Sequence, residues 1–339
     1  MATGNVAKKG TFATYSGANL NEIFYEPVFR SDDIMRNYRV IPNVKHKMNV
    51  FTSAALTKIV QKQTACSASS QDPVVDFNID EKTITAGRMR VALEQCSKEF
   101  YDTYIEEMYR TGINVNNLEG TQLADAIVNR AVKGIAQDIV RLAWGGDSAT
   151  TNYDQMSGWM KLMGDNATVL AARTEESAVA PTAPTAAESL TLLRNMYDTA
   201  PAALQQVPAA DKKIFVTPKT YNSYLQNLEG TSADLAITNQ ADGVLVVKFR
   251  GVQLVPVYEW DTILADTDPA LFLRGGVNGT EGACYCAVEN LIIGSDVTDP
   301  EGSFKVFYDD LEEKMFFRGY FKLGVQFLYP SLVQWGIFY

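Results

Sequence analysis

The sequence contains a single histidine, His46, which lies between Lys45 and Lys47. A Ser-His-Asp triad or a Cys-His pair needs an imidazole that the surrounding structure holds against a nucleophile. A histidine in a short basic segment is poorly placed for that chemistry. We therefore predict that His46 is neither a catalytic base nor a metal ligand.

Two of the four cysteines, Cys284 and Cys286, are separated by one residue in a predicted strand. Alternate residues of a strand point to the same face, so the two thiols are expected side by side. A zinc site would need a second cysteine pair or a histidine cluster, and the sequence offers neither. The pattern predicts buried structural thiols.

The glycine-rich segment from Gly276 to Gly282 superficially resembles a phosphate-binding loop. It lacks the Gly-Lys-Ser/Thr sequence of a P-loop and leads into a strand, so we predict a turn. Carboxylate pairs near residue 310 could serve acid–base chemistry, but nothing in the sequence distinguishes them. We assign no catalytic, cofactor-binding or metal-binding residue and no cofactor. The sequence favours a protein that acts through its surface and is not an enzyme.

Charge is distributed unevenly along the 339 residues, whose formal net charge is −10 at pH 7. This balance argues against a general nucleic-acid-binding protein, which needs a basic surface. Residues 34–71 contain six basic and no acidic residues, whereas residues 289–313 contain eight acidic residues and one lysine. The two segments are expected either to face solvent separately or to contact each other. The candidate residues for such a contact are Arg36, Arg39, Lys45, Lys47, Lys58, Lys62, Asp309, Asp310, Glu312 and Glu313.

Neither a membrane span nor a secretory signal is expected. No apolar run approaches the ~18–20 residues that a spanning helix needs. The N-terminal segment carries two lysines but no apolar core of the kind found in signal peptides. Four unevenly spaced cysteines fit a reducing cytoplasm.

The predicted secondary structure is organised around one long helix, residues 122–144. Its apolar residues recur every fourth position, as at Ile127, Ile135 and Ile139, with a second row of alanine and valine beside them. Gly145 and Gly146 end the pattern. At 1.5 Å per residue the helix would extend roughly 35 Å.

Other segments have distinct patterns. Residues 1–46 predict an arm that must lie on another surface, and residues 47–93 predict a long hairpin because Val75, Phe77 and Ile79 alternate with polar residues. Residues 98–110 predict a second amphipathic helix. Residues 151–264 predict an α/β unit, with a capping box from Thr185 to Glu188. The last 75 residues predict mainly strands.

This order of elements resembles that of the major capsid proteins of tailed bacteriophages, the Hong Kong ninety-seven fold family. The segment from Phe317 to Pro330 is similar to the family's late strand, and the turn from Asn290 to Gly294 is similar as well. The resemblance implies an α+β fold with an N-terminal arm (1–46), an extended E-loop hairpin (47–93), a peripheral domain with a long spine helix (94–150), an axial domain (151–264), and a return to the peripheral domain and final strands (265–339).

The resemblance also implies a function without catalysis or cofactor. The chain would be a shell subunit that assembles into hexamers and pentamers of an icosahedral phage head around double-stranded DNA, contacted without sequence specificity. It would reside in the virion, assemble in the cytoplasm of a bacterial host and contact no membrane. Its partners would be copies of itself, a portal, decoration proteins and a separate scaffolding protein, because the sequence begins almost directly with the arm. In this family the hairpin crosses a neighbouring subunit, so the basic and acidic residues above become candidate intersubunit contacts.

Three alternatives stay open at this level. An encapsulin-like nanocompartment resembles the same fold but encloses enzymes. An α/β enzyme with an unrecognised site belongs to a different class. A surface-layer protein is a third alternative, which the missing signal peptide disfavours.

Overall fold

A computed structural model describes residues 37–53, 79–96, 122–149, 153–178, 184–229, 237–239, 245–266, 269–274, 277–279, 281–296, 304–309 and 314–339. Most of the predicted arm, the tip of the hairpin and the predicted helix at residues 98–110 lie outside these ranges. No described helix is long and apolar enough to cross a membrane.

Helices and strands alternate along much of the described chain. The strands are β1 Arg39–Ile41, β2 Lys47–Ser53, β3 Ile79–Thr85, β4 Gly87–Cys96, β5 Thr174–Glu176, β6 Lys212–Val216, β7 Ile237–Asn239, β8 Leu245–Phe249, β9 Val252–Pro256, β10 Leu273–Arg274, β11 Val277–Asn278, β12 Gly282–Ala287, β13 Leu291–Ser295, β14 Phe304–Asp309, β15 Lys314–Phe327 and β16 Val333–Phe338. The α-helices are α1 Gln122–Gly145, α2 Trp159–Gly164, α3 Ala167–Ala172, α4 Ala186–Asp198, α5 Ala202–Gln206, α6 Pro218–Glu229 and α7 Glu259–Asp266.

The long strand β15 is the centre of a first sheet, which has five strands within the described residues. Strands β13 and β14 pair with the two halves of β15, and β4 pairs with it antiparallel from Lys314 to Leu323. Strand β1 extends the sheet by pairing parallel with β13. The structure therefore joins the end of the predicted arm to strands from the C-terminal part of the chain.

A second sheet has seven strands among the described residues, in the order β5-β16-β12-β6-β9-β8-β7. Strands β12 and β16 come from the segment predicted to return to the peripheral domain, yet they pair with the α/β unit through β6. All residues of β12 and β16 are buried. Strands that are covered on both faces are central strands, and local alternation in the sequence does not indicate which sheet they join. The final segment therefore contributes to both sheets.

Helix α1 begins and ends within one residue of its prediction. Its later part packs against both sheets: Ile135 and Ile139 are buried in the same cluster as Phe321 of β15 and Trp335 of β16. On the far face of the second sheet, α4 and α6 bury Met196 and Tyr224 in a separate cluster. The helix thus holds the first sheet against the second.

All four tryptophans of the chain meet at the junction of these elements. Trp144 at the end of α1 makes edge contacts with Trp159, Trp260 and Trp335, at ring-centroid distances of 4.9, 4.9 and 6.2 Å. Tyr38, just before β1, stacks on Phe215 of β6 at 5.5 Å. Burying each such ring contributes about 1.5–3 kcal/mol, so this aromatic cluster is a major part of the core.

Local signals in the sequence form as the physical chemistry predicts. The Thr185 hydroxyl accepts a bond from the Glu188 amide, and the Glu188 carboxylate accepts one from the Thr185 amide, which completes the predicted capping box of α4. Cys284 and Cys286 are buried free thiols in β12, as predicted. Burial raises the pKa of Cys284 well above its usual value, which keeps that thiol protonated and unreactive.

Candidate intersubunit surfaces

Strands β2 and β3 form a two-stranded antiparallel ribbon at the base of the predicted hairpin. Lys47 lies opposite Thr85, and Ser53 lies opposite Ile79. The strand that follows, β4, pairs with β15 in the first sheet, so the two-stranded ribbon itself ends at about Ala86. A ribbon of two strands is marginally stable alone and needs support on at least one face.

The inward face of the ribbon has that support. Ile84 is fully buried with Val44 and Ile292 in a small cluster, and Val50 packs against them. The Gln326 amide donates a hydrogen bond to the Thr83 carbonyl oxygen at 3.0 Å. The base of the ribbon is thus fixed on β13 and β15.

Two glycines allow the ribbon to lie this close to the first sheet. A Cβ atom at Gly324 of β15 would overlap the carbonyl oxygen of Thr85. At Gly294 of β13 a Cβ atom would lie 3.0 Å from Ile84 and 3.1 Å from Val44. The absence of a side chain at these positions is what permits the crossing.

The outward face of the ribbon is exposed along its whole described length. Phe51 is 68% exposed and Ile79 is 54% exposed. The two residues are diagonal neighbours on this face, because Ile79 lies opposite Ser53. An exposed apolar pair on a projecting ribbon is typical of a surface that another chain covers.

The predicted charge contacts lie at different parts of the fold. Arg39 is exposed on β1, Lys47 is exposed at the start of β2, and Lys45 is exposed between them. Asp309 lies at the end of β14, opposite Lys314 of β15. Among the described residues, Arg39 and Lys47 form no ion pair. The other candidates, Arg36, Lys58, Lys62, Asp310, Glu312 and Glu313, are outside the described ranges, so the intersubunit contact stays a prediction.

His46 and the glycine-rich segment lie in different parts of the fold. His46 is exposed, and its carbonyl oxygen accepts a hydrogen bond from the Ala86 amide at 2.8 Å. Gly282, at the end of the glycine-rich segment, begins the buried strand β12. Within the described part of the chain, no group of three or more His, Cys, Asp or Glu residues could hold a metal ion.

One buried carboxylate escaped the sequence analysis. Glu281 is 1% exposed, and its Oε1 lies 3.3 Å from the Lys219 Nζ at the start of α6. Burial raises the pKa of Glu281, while Thr217 and Lys219 partly offset the rise. Burial also raises the pKa of Asp261, at the start of α7. A single glutamate before a strand carries no periodic signal, so its burial could not be read from the sequence.

Comparison with known proteins finds matches for the structure but none for the sequence among family models and curated proteins. No family model and no curated protein matches this sequence. The capsid of the native GTA particle is 11% identical with a TM-score of 0.51, and the match covers 99% of this chain and 96% of that one. The satellite phage P4 procapsid structure, which includes size determination (Sid) protein, is 10% identical with a TM-score of 0.52 over 92% of this chain and 96% of that one. The chain has the phage capsid fold.

The predicted α+β capsid fold is therefore confirmed across nearly the whole chain. The holo-SrpI encapsulin complex from Synechococcus elongatus PCC 7942 also matches, at 12% identity and a TM-score of 0.46, over 89% of this chain and 85% of that one.

Proposed function

We propose that this chain is a major capsid protein, which assembles into hexamers and pentamers of an icosahedral phage head. The head would enclose double-stranded DNA, held without sequence specificity, and the protein would assemble in the cytoplasm of a bacterial host. The observation that carries the proposal is the phage capsid fold together with the exposed outward face of the ribbon. No catalytic role is proposed.

The ribbon supports assembly for a physical reason. Phe51 and Ile79 remain exposed in the single chain, and burying a side chain of this size gains about 1.5–3 kcal/mol. The pair projects from a ribbon whose inward face is already occupied. A neighbouring subunit that covers the outward face would bury both residues and stabilise the ribbon at the same time.

The charged candidates add a second proposed contact. Residues 34–71 would meet residues 289–313 of a neighbour, so that opposite charges guide the two surfaces into register. We also propose that the chain is divided into an arm, an E-loop hairpin, a peripheral domain and an axial domain at the predicted boundaries.

The proposed partners are a portal, decoration proteins and a separate scaffolding protein. The P4 procapsid structure includes a size determination protein, and a comparable partner would set the size of this shell.

Negative-stain microscopy of the expressed protein tests the proposal, with and without the neighbouring phage genes. We expect closed shells when the scaffolding gene is present, and sheets, tubes or mixed sizes when the protein is expressed alone. A monomer or dimer on size-exclusion chromatography, with no particles under either condition, would favour the enzyme alternative. Particles that contain an enzyme and no DNA would favour the nanocompartment.

A pair of variants connects the shell to the ribbon. Phe51→Ser with Ile79→Ser should leave the subunit folded but reduce particle yield, because both residues are exposed in the single chain. Tyr258→Ser is the matched control, since Tyr258 is 69% exposed and lies just before α7, outside the ribbon. Equal yields from the two variants would remove the ribbon from the assembly surface.

A further inference from the structure

One face of the first sheet carries an unusual density of basic side chains. On β4, Arg88 and Arg90 are exposed and point to the same side. In the antiparallel register, Arg88 lies opposite Lys322 and Arg90 lies opposite Tyr320 of β15. Arg318 lies two residues before Tyr320 and is also exposed. We call these five residues the basic face.

The opposite side of the same strands fixes this orientation. Met89 of β4 and Phe317 and Phe321 of β15 are buried, at 4%, 6% and 6% exposure, in the cluster that contains α1. A shift of register by one residue would exchange the two sides and expose this cluster. The basic residues are therefore held on the outside by the core that lies behind them.

The arginines of β4 are the least engaged cations on this face. Arg88 and Arg90 form no ion pair with the described residues. The Arg318 guanidinium lies over the Phe316 ring at 5.0 Å. The Lys322 Nζ donates a hydrogen bond to the Lys45 carbonyl oxygen and lies 4.0 Å from the Asp296 carboxylate. Basic side chains thus outnumber acidic ones here, in a chain whose net charge is −10.

We propose that the basic face binds an acidic surface of a second copy of this chain. The inference rests on the proposed function as a shell subunit and names a contact within the shell. The rest of the chain is acidic on balance, so a second copy offers complementary charge. Assembly otherwise brings together subunits with like charge, and pairing the basic face with an acidic surface reduces that repulsion.

The position of the face fits such a contact. The base of the ribbon crosses the same side of the sheet, at Gly324 and Gly294. A neighbour that covers the outward side of the ribbon therefore approaches the basic face from the same direction. Phosphate groups of DNA are the other anionic partner, but the formal net charge of −10 opposes the approach of DNA to the chain as a whole.

The test compares the parent with Arg88→Glu/Arg90→Glu. Both residues are exposed, so the subunit should fold normally, which near-ultraviolet circular dichroism checks. We expect the concentration that gives half-maximal particle formation to rise about tenfold at 0.1 M salt, since two favourable pairs become repulsive. The difference should shrink at 1 M salt, where the Debye length falls to about 3 Å.

Two controls separate charge from position. Arg88→Lys/Arg90→Lys keeps the charge and should assemble at concentrations near the parent's. Arg194→Glu removes an exposed cation from α4 and should assemble like the parent. If the reversed variant misfolds, Arg88→Gln/Arg90→Gln takes its place, with a smaller expected rise in the same concentration.

The results distinguish the inference from the function on which it rests. If the parent forms particles and the reversed variant assembles as Arg194→Glu does, the basic face has no part in assembly. If the reversed variant assembles normally but loses salt-sensitive binding of a short DNA duplex that parental subunits bind, the partner is DNA and the inference is wrong. If the parent forms no particles, the proposed function itself is wrong.

Discussion

The indole Nε1 of Trp144 donates a hydrogen bond to the Tyr38 hydroxyl oxygen across 2.8 Å, joining residues 106 positions apart in the sequence. Both side chains are buried. Tyr38 lies just before β1, whereas Trp144 lies at the end of α1. The bond therefore connects the end of the predicted arm to the long helix, at the point where all four tryptophans meet.

We predict that Tyr38→Phe destabilises the subunit although it preserves the ring. The variant leaves the Trp144 indole N–H buried without its acceptor, which costs about 1–3 kcal/mol. Urea unfolding of the dissociated subunit, followed by tryptophan fluorescence, measures the change. Tyr258→Phe is the control, since Tyr258 is 69% exposed. Equal stability of the two variants would show that the bond contributes nothing.

A second prediction concerns the centre of α1. Ile135 is 6% exposed and packs in the cluster that joins the two sheets. Ile135→Asp would bury a charge without a partner, which costs several kcal/mol or forces a rearrangement, so we expect insoluble or unassembled protein. Gln137→Asp introduces the same charge at an exposed position two residues further on and should give normal yield. Soluble, particle-forming Ile135→Asp would contradict the packing of this face.

Replacement of glycine by alanine is expected to have opposite effects on stability at two positions. Gly324→Ala places a methyl group against the Thr85 carbonyl oxygen, so the ribbon must move away from the sheet. We expect faster proteolysis within residues 47–85 and fewer particles. Gly134→Ala, on α1, meets no atom within 4 Å and should raise stability by about 0.5–1 kcal/mol, because alanine favours helix. Limited proteolysis and thermal unfolding of both variants check the pair. A Gly324→Ala ribbon as resistant as the parent's would show that the close crossing is not needed.

The sequence predicts elements far better than it predicts their partners. The bounds of α1 and the capping box of α4 follow from periodicity and capping chemistry, which are local. The pairing of β12 with β6 brings Cys284 opposite Phe215, and no local pattern encodes that choice. The alternation of β4 indicates two faces, but only its register with β15 shows that Arg90 lies beside Tyr320. Surfaces built from distant strands therefore required the structure.

The buried carboxyl group of Glu281 should make the stability of the folded subunit depend on pH. Burial raises its pKa in the folded chain, so the folded state binds this proton more tightly than the unfolded state does. The carboxyl group's contribution to stability is then present at acidic pH and is lost as the pH rises through the raised pKa. In Glu281→Gln this loss should disappear, which urea unfolding of the subunit between pH 4 and pH 8 would reveal. Glu289→Gln, at an exposed position, should keep the parental profile. If Glu281→Gln and the parent show the same dependence of stability on pH, the Glu281 carboxyl group is hydrated in the folded subunit.

The last prediction concerns the segregated charges. Lys58→Glu with Lys62→Glu reverses two residues of the basic segment, and Asp309→Lys with Asp310→Lys reverses two of the acidic segment. If the segments meet between subunits, the first pair should slow assembly and the combined variant should partly restore its rate. Each exposed pair contributes only about 0–1 kcal/mol, yet every subunit repeats it. Light scattering at low and high salt measures the rates, and high salt should reduce the differences.

The acidic reversal alone completes this comparison as a double-mutant cycle. It should slow assembly as the basic reversal does, because each leaves like charges facing one another across the contact. Additive effects of the two reversals, with no rescue in the combined variant, would mean that the segments act separately. A basic reversal that assembles at the parental rate in low salt would place Lys58 and Lys62 in solvent, and Phe51 and Ile79 would remain as the proposed apolar contact of the ribbon with a neighbour.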